Sequence, residues 1–311
     1  MSIGTANRIR KAVVPAAGQG TRLYPLTKVQ PKEMMPVGPY PAIDWVIQEL
    51  AAAEITEILV ITGPGKSAIE AHLDPQEGRL AKADLPLWLT EFDSSRITIY
   101  FTRQNPPGGL GEAVACARQF VGDEDFVVAL GDSVIISEQA AFTRRLLDAH
   151  QTSPAVATLG VQPIPPEKAS SYGVIEVAEE AEGRLVISNV VEKPEPDQAP
   201  SKLAICGRYV FSPEIFAKLN DLQAGRGREL QLTDAIAALA TSDRLVQAIP
   251  LAPEELRLDV GNLVSYSQAF VRGMLSHPAI APSFREYLLR LAVHLQDSSQ
   301  PDPDRTTTDP A

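Results

Sequence analysis

The stretch AVVPAAGQGTRLYPLTKVQPK, residues 12–32, decides the fold. It begins with the apolar run 12–14, which predicts a short buried strand, and then enters a turn that contains Gly18 and Gly20. A strand that opens into a Gly-rich turn exposes consecutive backbone N–H groups, and such groups suit a phosphate chain. The stretch therefore predicts a site for a nucleoside triphosphate at the end of the first strand.

Two cations, Arg22 and Lys32, follow these glycines. Arg22 suits a bidentate contact with the β- and γ-phosphates, and Lys32 acts as a point charge. The glycine spacing fails the dinucleotide fingerprint, because Leu23 stands where that fingerprint has Gly or Ala, and it lacks the Gly-Lys-Ser/Thr of a P-loop. A purely structural turn is the alternative, and the two cations favour phosphate binding.

The rest of the first half alternates between strands and helices. We predict strands over 57–62, 96–102 and 125–130, and helices over 42–53, 66–73, 111–120 and 138–151. This βαβα order implies a parallel sheet with helices on both faces. The segment 74–95 is irregular, and we interpret it as an insertion.

From Ala155 onwards the sequence contains more strands. We predict strands over 155–163, 171–177, 184–194 and 203–211, and helices over 213–222, 233–241, 262–276 and 283–295. A turn at 179–183 joins two of these strands into a hairpin. The second half therefore adds a small antiparallel part to the sheet.

Composition excludes several classes of protein. The 311-residue chain has a net charge of −11, which argues against a nucleic-acid-binding surface. It shows neither an apolar signal core nor a run long enough to span a membrane, so we expect a cytoplasmic protein without a membrane partner. The two cysteines, Cys116 and Cys206, are interpreted as small core residues in a reducing compartment.

Polar residues follow two predicted strands at their carboxyl ends, where open α/β sheets bind ligands. Asp132 is suited to bind Mg²⁺, and a helix N-cap is an equally good interpretation. Gln104 has one donor and one acceptor group, which match the N3–H and O4 edge of uracil or thymine. Gly109 would let the backbone approach a base, although a plain turn is the stronger interpretation of this loop taken alone.

Further charged residues occur in the second half. Glu192 and Lys193 end an apolar strand, where Lys193 suits a phosphate and Glu192 suits sugar hydroxyls, but a solvated charge pair is the default interpretation. Glu229 and Asp259 are isolated acids. Thr233 is a better candidate for the start of a helix than for chemistry.

The order of these weak signals is more specific than any one of them. The segments are AVVPAAGQGTRLYPLTKVQPKEMMPV, LGEAV, GDSVI, SYGVIEV, VVEKP, AICGRYVF, ELQLTDAI and DVGN. Over roughly residues 10–274 this succession resembles the sugar-1-phosphate nucleotidyltransferases, and most closely the bacterial UTP–glucose-1-phosphate uridylyltransferases.

The resemblance implies a reaction and an architecture. The reaction is Mg²⁺-dependent transfer of the uridylyl group of UTP to glucose 1-phosphate, giving UDP-glucose and pyrophosphate. The fold would be α/β and Rossmann-like, with a mixed, mostly parallel sheet flanked by helices. We expect one nucleotidyltransferase domain over 1–280, with a nucleotide-binding half at about 10–153 and a sugar-binding half at about 154–280. A C-terminal helix over 281–296 and a disordered tail over 297–311 would follow.

The resemblance also implies roles for residues of this sequence. The triphosphate would be held by Ala17, Gly18, Gly20, Thr21, Arg22 and Lys32. Gln104 and Gly109 would read the uracil, and Asp132 and Asp259 would bind Mg²⁺. Glucose 1-phosphate would be contacted by Gly173, Glu192, Lys193 and, as a weaker candidate, Glu229. Catalysis would depend on Arg22, Lys32 and Lys193.

Two departures and two alternatives accompany this interpretation. Uridylyltransferases usually have Pro-Asp at the metal strand, where this chain has Gly131–Asp132, and Leu263 replaces a common Lys after DVGN. A thymidylyltransferase for the same sugar phosphate is the first alternative, because uracil and thymine show the same edge to Gln104. A nucleotide-sugar-binding homologue without turnover is the second. The resemblance also implies a homo-oligomer, either a dimer or a tetramer.

Overall fold

The computed structural model describes residues 8–74, 97–181, 183–222 and 229–296. The strands are β1 Lys11–Pro15, β2 Pro36–Val37, β3 Tyr40–Pro41, β4 Glu57–Thr62, β5 Thr98–Arg103, β6 Phe126–Ala129, β7 Ser133–Ile136, β8 Ala157–Pro163, β9 Gly173–Ala181, β10 Arg184–Glu192, β11 Leu203–Phe211, β12 Val246–Pro250 and β13 Leu256–Asp259. The helices are α1 Ala42–Ala52, α2 Ser67–Leu73, α3 Leu110–Ala115, α4 Arg118–Val121, α5 Ala141–Gln151, α6 Glu214–Asp221, α7 Leu232–Ala240, α8 Leu263–Ser276 and α9 Ala281–Gln296. The tail predicted over 297–311 and most of the insertion predicted over 74–95 lie outside the described residues.

In this part of the chain, nine strands form one sheet in the order β5-β4-β1-β6-β11-β8-β12-β10-β9. The strands β5, β4, β1 and β6 pair in parallel, and β8 pairs in parallel with β12. The other neighbouring pairs are antiparallel. The predicted mixed α/β class is confirmed, but parallel and antiparallel neighbours are equally numerous in this order, so the sheet is not mostly parallel.

The parallel strands of the first half are buried on both faces because the helices that connect them cover the sheet. All four residues of β6 are buried, as are five of the six in β4. Such strands read as continuous apolar runs, and helices must cover both faces of the sheet. One apolar cluster packs α1, α2 and α5 on one face, and a second packs α3, α6 and α7 on the other.

Among the described residues the strand prediction missed five strands, β2, β3, β7, β12 and β13, of which only β12 belongs to the main sheet. Its sequence, VQAIP, is short and ends in proline, so its apolar pattern gave no distinct signal. The strands β7 and β13 form a separate two-stranded antiparallel ribbon, in which Ser133 pairs with Asp259. This ribbon brings the chain after β6 beside the end of β13.

Two predicted helices differ from the structure. The helix predicted over 111–120 is divided into α3 and α4. The helix predicted over 138–151 begins at Ala141, because Gln139 and Ala140 have positive φ angles that no α-helix accommodates. No helix in the described ranges is long and apolar enough to cross a membrane.

A buried ion pair joins the two halves of the sheet to α1. The guanidinium of Arg208 on β11 donates to Glu49 through Nε at 2.9 Å and through Nη2 at 2.6 Å. Nη2 also donates to the backbone carbonyl of Ser133 at 2.9 Å. Arg208 is fully buried, so each of these bonds compensates for desolvation of its charge. The pair fixes the backbone directly after Asp132.

Candidate active site

Two adjoining cavities lie along the carboxyl ends of the parallel strands. The larger has a volume of about 810 Å³ and the smaller about 450 Å³. Both are lined by Lys32 and Asp132, which therefore stand at their junction. The structure places every predicted site residue in the wall of this cleft: Ala17, Gly18, Gly20, Thr21, Arg22, Lys32, Gln104, Gly109, Asp132, Gly173, Glu192, Lys193, Glu229 and Asp259.

At the junction, Nζ of Lys32 donates to Oδ2 of Asp132 at 2.5 Å. Burial by itself would lower the pKa of Lys32, but the nearby carboxylates of Asp132 and Glu33 outweigh burial and hold it above its ordinary value. Burial would raise the pKa of Asp132, and the Lys32 ammonium more than offsets this, so that pKa is lowered. Both groups are therefore charged at neutral pH. Asp132 is not a helix N-cap, because the strand β7 follows it.

A second ion pair lies directly behind the first. Nζ of Lys66 donates to Oε2 of Glu33 at 2.7 Å, and both side chains are buried. Burial raises the pKa of Glu33 in spite of its two lysine neighbours. Since Glu33 follows Lys32 in the chain, this contact anchors the short 3₁₀ turn from which Lys32 extends.

The glycine loop lies against Lys32. A Cβ added at Gly18 would come within 3.3 Å of the Lys32 ammonium, so a side chain there would crowd the cation. Gly20 has a φ of 68°, in the left-handed region that favours glycine. Arg22 follows in a 3₁₀ turn, Thr21–Leu23, and its side chain is exposed at the edge of the larger cavity. The loop thus presents backbone and two cations to one cleft.

Asp259 is brought to this junction by the β7–β13 ribbon, where Val260 N–H also donates to the carbonyl of Asp132 at 3.2 Å. Arg257, which sequence reasoning missed, donates from Nη2 to Oδ1 of Asp259 at 2.8 Å and from Nε to Oγ of Ser133 at 2.9 Å. Its guanidinium also lies 4.8 Å from the centre of the Tyr172 ring. Arg257 is thus a buried counter-ion between the two carboxylates.

Gln104 lies at the far wall of the smaller cavity and is almost completely buried. Its Nε2 donates to the carbonyl of Gly109 at 3.0 Å and to Oε2 of Glu112 at 2.7 Å. Gly109 has a φ of 104°, and a Cβ there would meet the carbonyl oxygen of Leu230 at 2.5 Å. The glycine is therefore required by the crossing of the 229–230 segment, and its predicted approach to a base stays a prediction.

The larger cavity ends at the β9–β10 hairpin, whose register pairs Gly173 with Glu192. Nζ of Lys193 donates to Oε1 of Glu192 at 2.6 Å, so the local charge pair considered from the sequence is present. Thr233 donates to Oε2 of Glu192 at 3.1 Å. Thr233 lies in the first turn of α7, as a helix-start residue would, but its hydroxyl faces the cleft and was missed as a site residue. Glu229 lines both cavities.

Each of the missed residues, Arg257 and Thr233, has at least one partner that lies far away in the sequence. Arg257 contacts Ser133 across 124 positions, and Thr233 contacts Glu192 across 41. No local motif signals such a contact. The prediction that both cysteines are core residues was correct for Cys206, which is buried. It was wrong for Cys116, which is exposed.

The fold is a mixed α/β fold with a charged cleft, and comparison with known proteins identifies its family. The model of the nucleotidyl transferase family matches residues 11–273. This match covers most of the chain, which therefore belongs to the nucleotidyl transferase family.

Individual members of the family are similar to this chain over most of its length. The chain is 42% identical over 265 residues to the UTP–glucose-1-phosphate uridylyltransferase of Bacillus subtilis (strain 168), covering 83% of this chain and 89% of that one. It is 38% identical over 302 residues to UTP–glucose-1-phosphate uridylyltransferase 1 of Streptococcus pyogenes serotype M1, covering 94% and 98%. A solved UDP-glucose pyrophosphorylase in complex with UDP-glucose superposes with a TM-score of 0.76 at 30% identity, covering 84% of this chain and 97% of that one.

Proposed function

We propose that this protein transfers the uridylyl group of UTP to glucose 1-phosphate, giving UDP-glucose and pyrophosphate. The observation that carries the proposal is the placement of the predicted residues along one cleft. Gln104 lies in the smaller cavity, Glu192 and Lys193 lie in the larger, and Lys32 stands where the two meet. A nucleotide and a sugar phosphate bound in these cavities would meet beside Lys32. The relatives with matching names support this choice of substrates.

Mg²⁺ is part of the proposal, and the donor set fits it. Asp132 and Asp259 supply two carboxylates to one cavity, held side by side by the β7–β13 ribbon. Mg²⁺ is commonly bound by one or two carboxylates together with substrate phosphates and water. A bound Mg²⁺ would neutralise phosphate charge.

The chemistry requires positioning and charge neutralisation. A phosphate oxygen of glucose 1-phosphate is already anionic at pH 7, so it can attack the α-phosphorus without a general base. The new O–P bond forms as the bond from the α-phosphorus to the oxygen bridging the β-phosphorus breaks, and pyrophosphate leaves. Lys193 would reduce repulsion of the incoming sugar phosphate, and Arg22 would stabilise the leaving group. Lys32 would hold the triphosphate between them.

A pyrophosphate-release assay tests the proposal. The full chain is incubated with glucose 1-phosphate, Mg²⁺ and either UTP or dTTP, and we expect faster release with UTP. Release with dTTP alone would favour the thymidylyltransferase alternative. No release with either nucleotide would favour a binding protein without turnover, although the charged residues at Lys32, Asp132 and Asp259 argue against loss of activity.

Direct transfer also predicts that no covalent enzyme intermediate forms. Incubation with UTP alone, followed by mass spectrometry of the intact protein, should show an unmodified chain. A uridylylated residue would contradict the single-step mechanism. The cytoplasmic location expected from the sequence and the dimer or tetramer expected from the resemblance are also proposed, and light scattering would measure the assembly.

A further inference from the structure

The side-chain amide of Gln104 is held in a defined orientation. Its Nε2 donates to the carbonyl of Gly109 at 3.0 Å and to Oε2 of Glu112 at 2.7 Å. An amide nitrogen carries two N–H groups, so these contacts use both donors. The remaining polar atom, Oε1, has no hydrogen-bond partner among the residues that the structure describes. Gln104 therefore offers an acceptor, without a free donor, to the smaller cavity that it lines.

Glu112 determines this orientation. Rotating the amide by 180° would turn Oε1 towards a carboxylate and a carbonyl, and both hydrogen bonds would be lost. A hydrogen bond to a carboxylate is stronger than one between neutral groups, so Glu112 contributes more to the preference than Gly109. The neighbouring Gly108 makes the contact possible, because a Cβ at that position would overlap Oε2 of Glu112.

We propose that Glu112 is a positioning residue that makes the site prefer uracil or thymine over cytosine. The inference rests on the proposed function, in which Gln104 reads the base. A fixed Oε1 accepts a hydrogen bond from the N3–H of uracil or thymine. Cytosine has a lone pair at N3 in place of this hydrogen, so two acceptors would face each other. Glu112 acts through Gln104 and touches neither the base nor the reacting atoms.

The Glu112→Gln variant tests this role while conserving side-chain size. An amide at this position offers either an oxygen or a nitrogen to Gln104, whose amide can then adopt both orientations. The dissociation constants of UTP and CTP are measured by calorimetry on the full chain. We expect the wild-type preference for UTP to fall about tenfold in the variant, mainly through weaker UTP binding. The kcat at saturating UTP should stay unchanged.

Two controls separate positioning from charge. Glu138→Gln removes the same charge from an exposed glutamate outside both cavities and should leave the preference unchanged. Glu112→Asp keeps the charge but withdraws the carboxylate from Gln104, so it should also reduce the preference. Melting temperatures confirm that the variants are folded. Equal changes in UTP and CTP affinity in Glu112→Gln, with a wild-type ratio in Glu112→Asp, would overturn the proposal.

The binding measurement tests the role of Glu112 separately from the proposed uridylyl transfer. A wild-type protein that prefers UTP in calorimetry but releases no pyrophosphate would contradict the proposed transfer and leave the role of Glu112 to be decided by the variants. A wild-type protein that binds UTP and CTP equally, or a Glu112→Gln protein with the wild-type ratio, would contradict the role of Glu112 whatever the outcome of the release assay.

Discussion

At the proposed nucleotide end of the cleft the bonded side chain of Gln104 is buried, whereas at the proposed sugar end the bonded side chains of Glu192 and Lys193 remain partly exposed. Gln104 is almost completely buried and both its amide donors are used. By contrast, 42% of the Lys193 side chain and 24% of the Glu192 side chain are exposed. The first end is buried, and the second carries partly exposed charges on a hairpin.

This difference has consequences for binding and for transfer. A site whose groups are fixed before binding loses little conformational entropy when the ligand arrives. Partly exposed side chains lose more conformational freedom when a ligand immobilises them. We therefore expect the nucleotide end to bind UTP independently of the sugar end, while Lys193 acts only when the second substrate is present. Substitutions at the two ends and at their junction test whether the ends act independently.

The largest effect should come from Lys32, which stands at the junction. Lys32→Met removes the cation that contacts Asp132 and faces both cavities. We expect kcat/KM to fall by about 10³-fold, the loss typical of a preorganised charge at a reacting phosphate or oxyanion. Steady-state pyrophosphate release measures it. Lys28→Met, an exposed lysine in the same loop, is the matched control and should retain wild-type activity.

The next effect should come from Lys193. Lys193→Ala should slow transfer by about 10²-fold, because the sugar phosphate then meets the α-phosphorus without a neutralising charge. The Kd of UTP, measured by calorimetry, should change little. Lys202→Ala removes an exposed lysine before β11 and should change neither quantity. An equal loss of UTP affinity in Lys193→Ala would show that the two ends are not independent.

A smaller effect is expected from Thr233, whose hydroxyl orients Glu192. Thr233→Val conserves shape but removes one hydrogen bond, so the KM for glucose 1-phosphate should rise about threefold to tenfold. The KM for UTP should stay at its wild-type value. Thr241→Val, at the exposed C-cap residue that follows α7, provides the control. An unchanged KM for glucose 1-phosphate in Thr233→Val would show that Thr233 does not contribute to binding of the sugar phosphate.

The smallest effect concerns pH. The lowered pKa of Asp132 means that its stabilisation is present above its unfolded pKa and is lost as the pH falls through the folded value. The raised pKa of Lys32 means that its stabilisation is present below its unfolded pKa and is lost as the pH rises through the folded value. The difference in melting temperature between wild type and Lys32→Met should thus be large near neutral pH and shrink as the pH falls through the folded pKa of Asp132. A difference that does not shrink in acid would contradict the ion pair.

The strands of the first half could be predicted because burial on both faces produces a continuous run of apolar residues in the sequence. The strand EILVIT at Glu57–Thr62 is an example, and its bounds agree with the prediction. The strand VQAIP could not be found in this way, because its place beside β8 follows from pairing with a distant partner. Chain-local patterns contain no information about such pairing.

The same limit applies to the candidate site. Residues at strand ends, such as Asp132 and Gln104, could be proposed from the sequence because strand ends meet at one edge of the sheet. Arg257 could not, because its value as a counter-ion depends on Ser133 and Asp259 being brought together by the β7–β13 ribbon. Glu112 was read only as part of a helix, and its contact with Gln104 requires the turn at Gly108 and Gly109.

The most direct measurement is a crystal structure of the full chain with UDP-glucose and Mg²⁺. The division of the cleft predicts that N3 of the uracil lies within hydrogen-bond distance of Oε1 of Gln104. It also predicts that the glucosyl group lies against Glu192 and Thr233, with Lys193 on the phosphate next to the sugar. A uracil bound beside the β9–β10 hairpin, or a glucosyl group outside the larger cavity, would contradict the account.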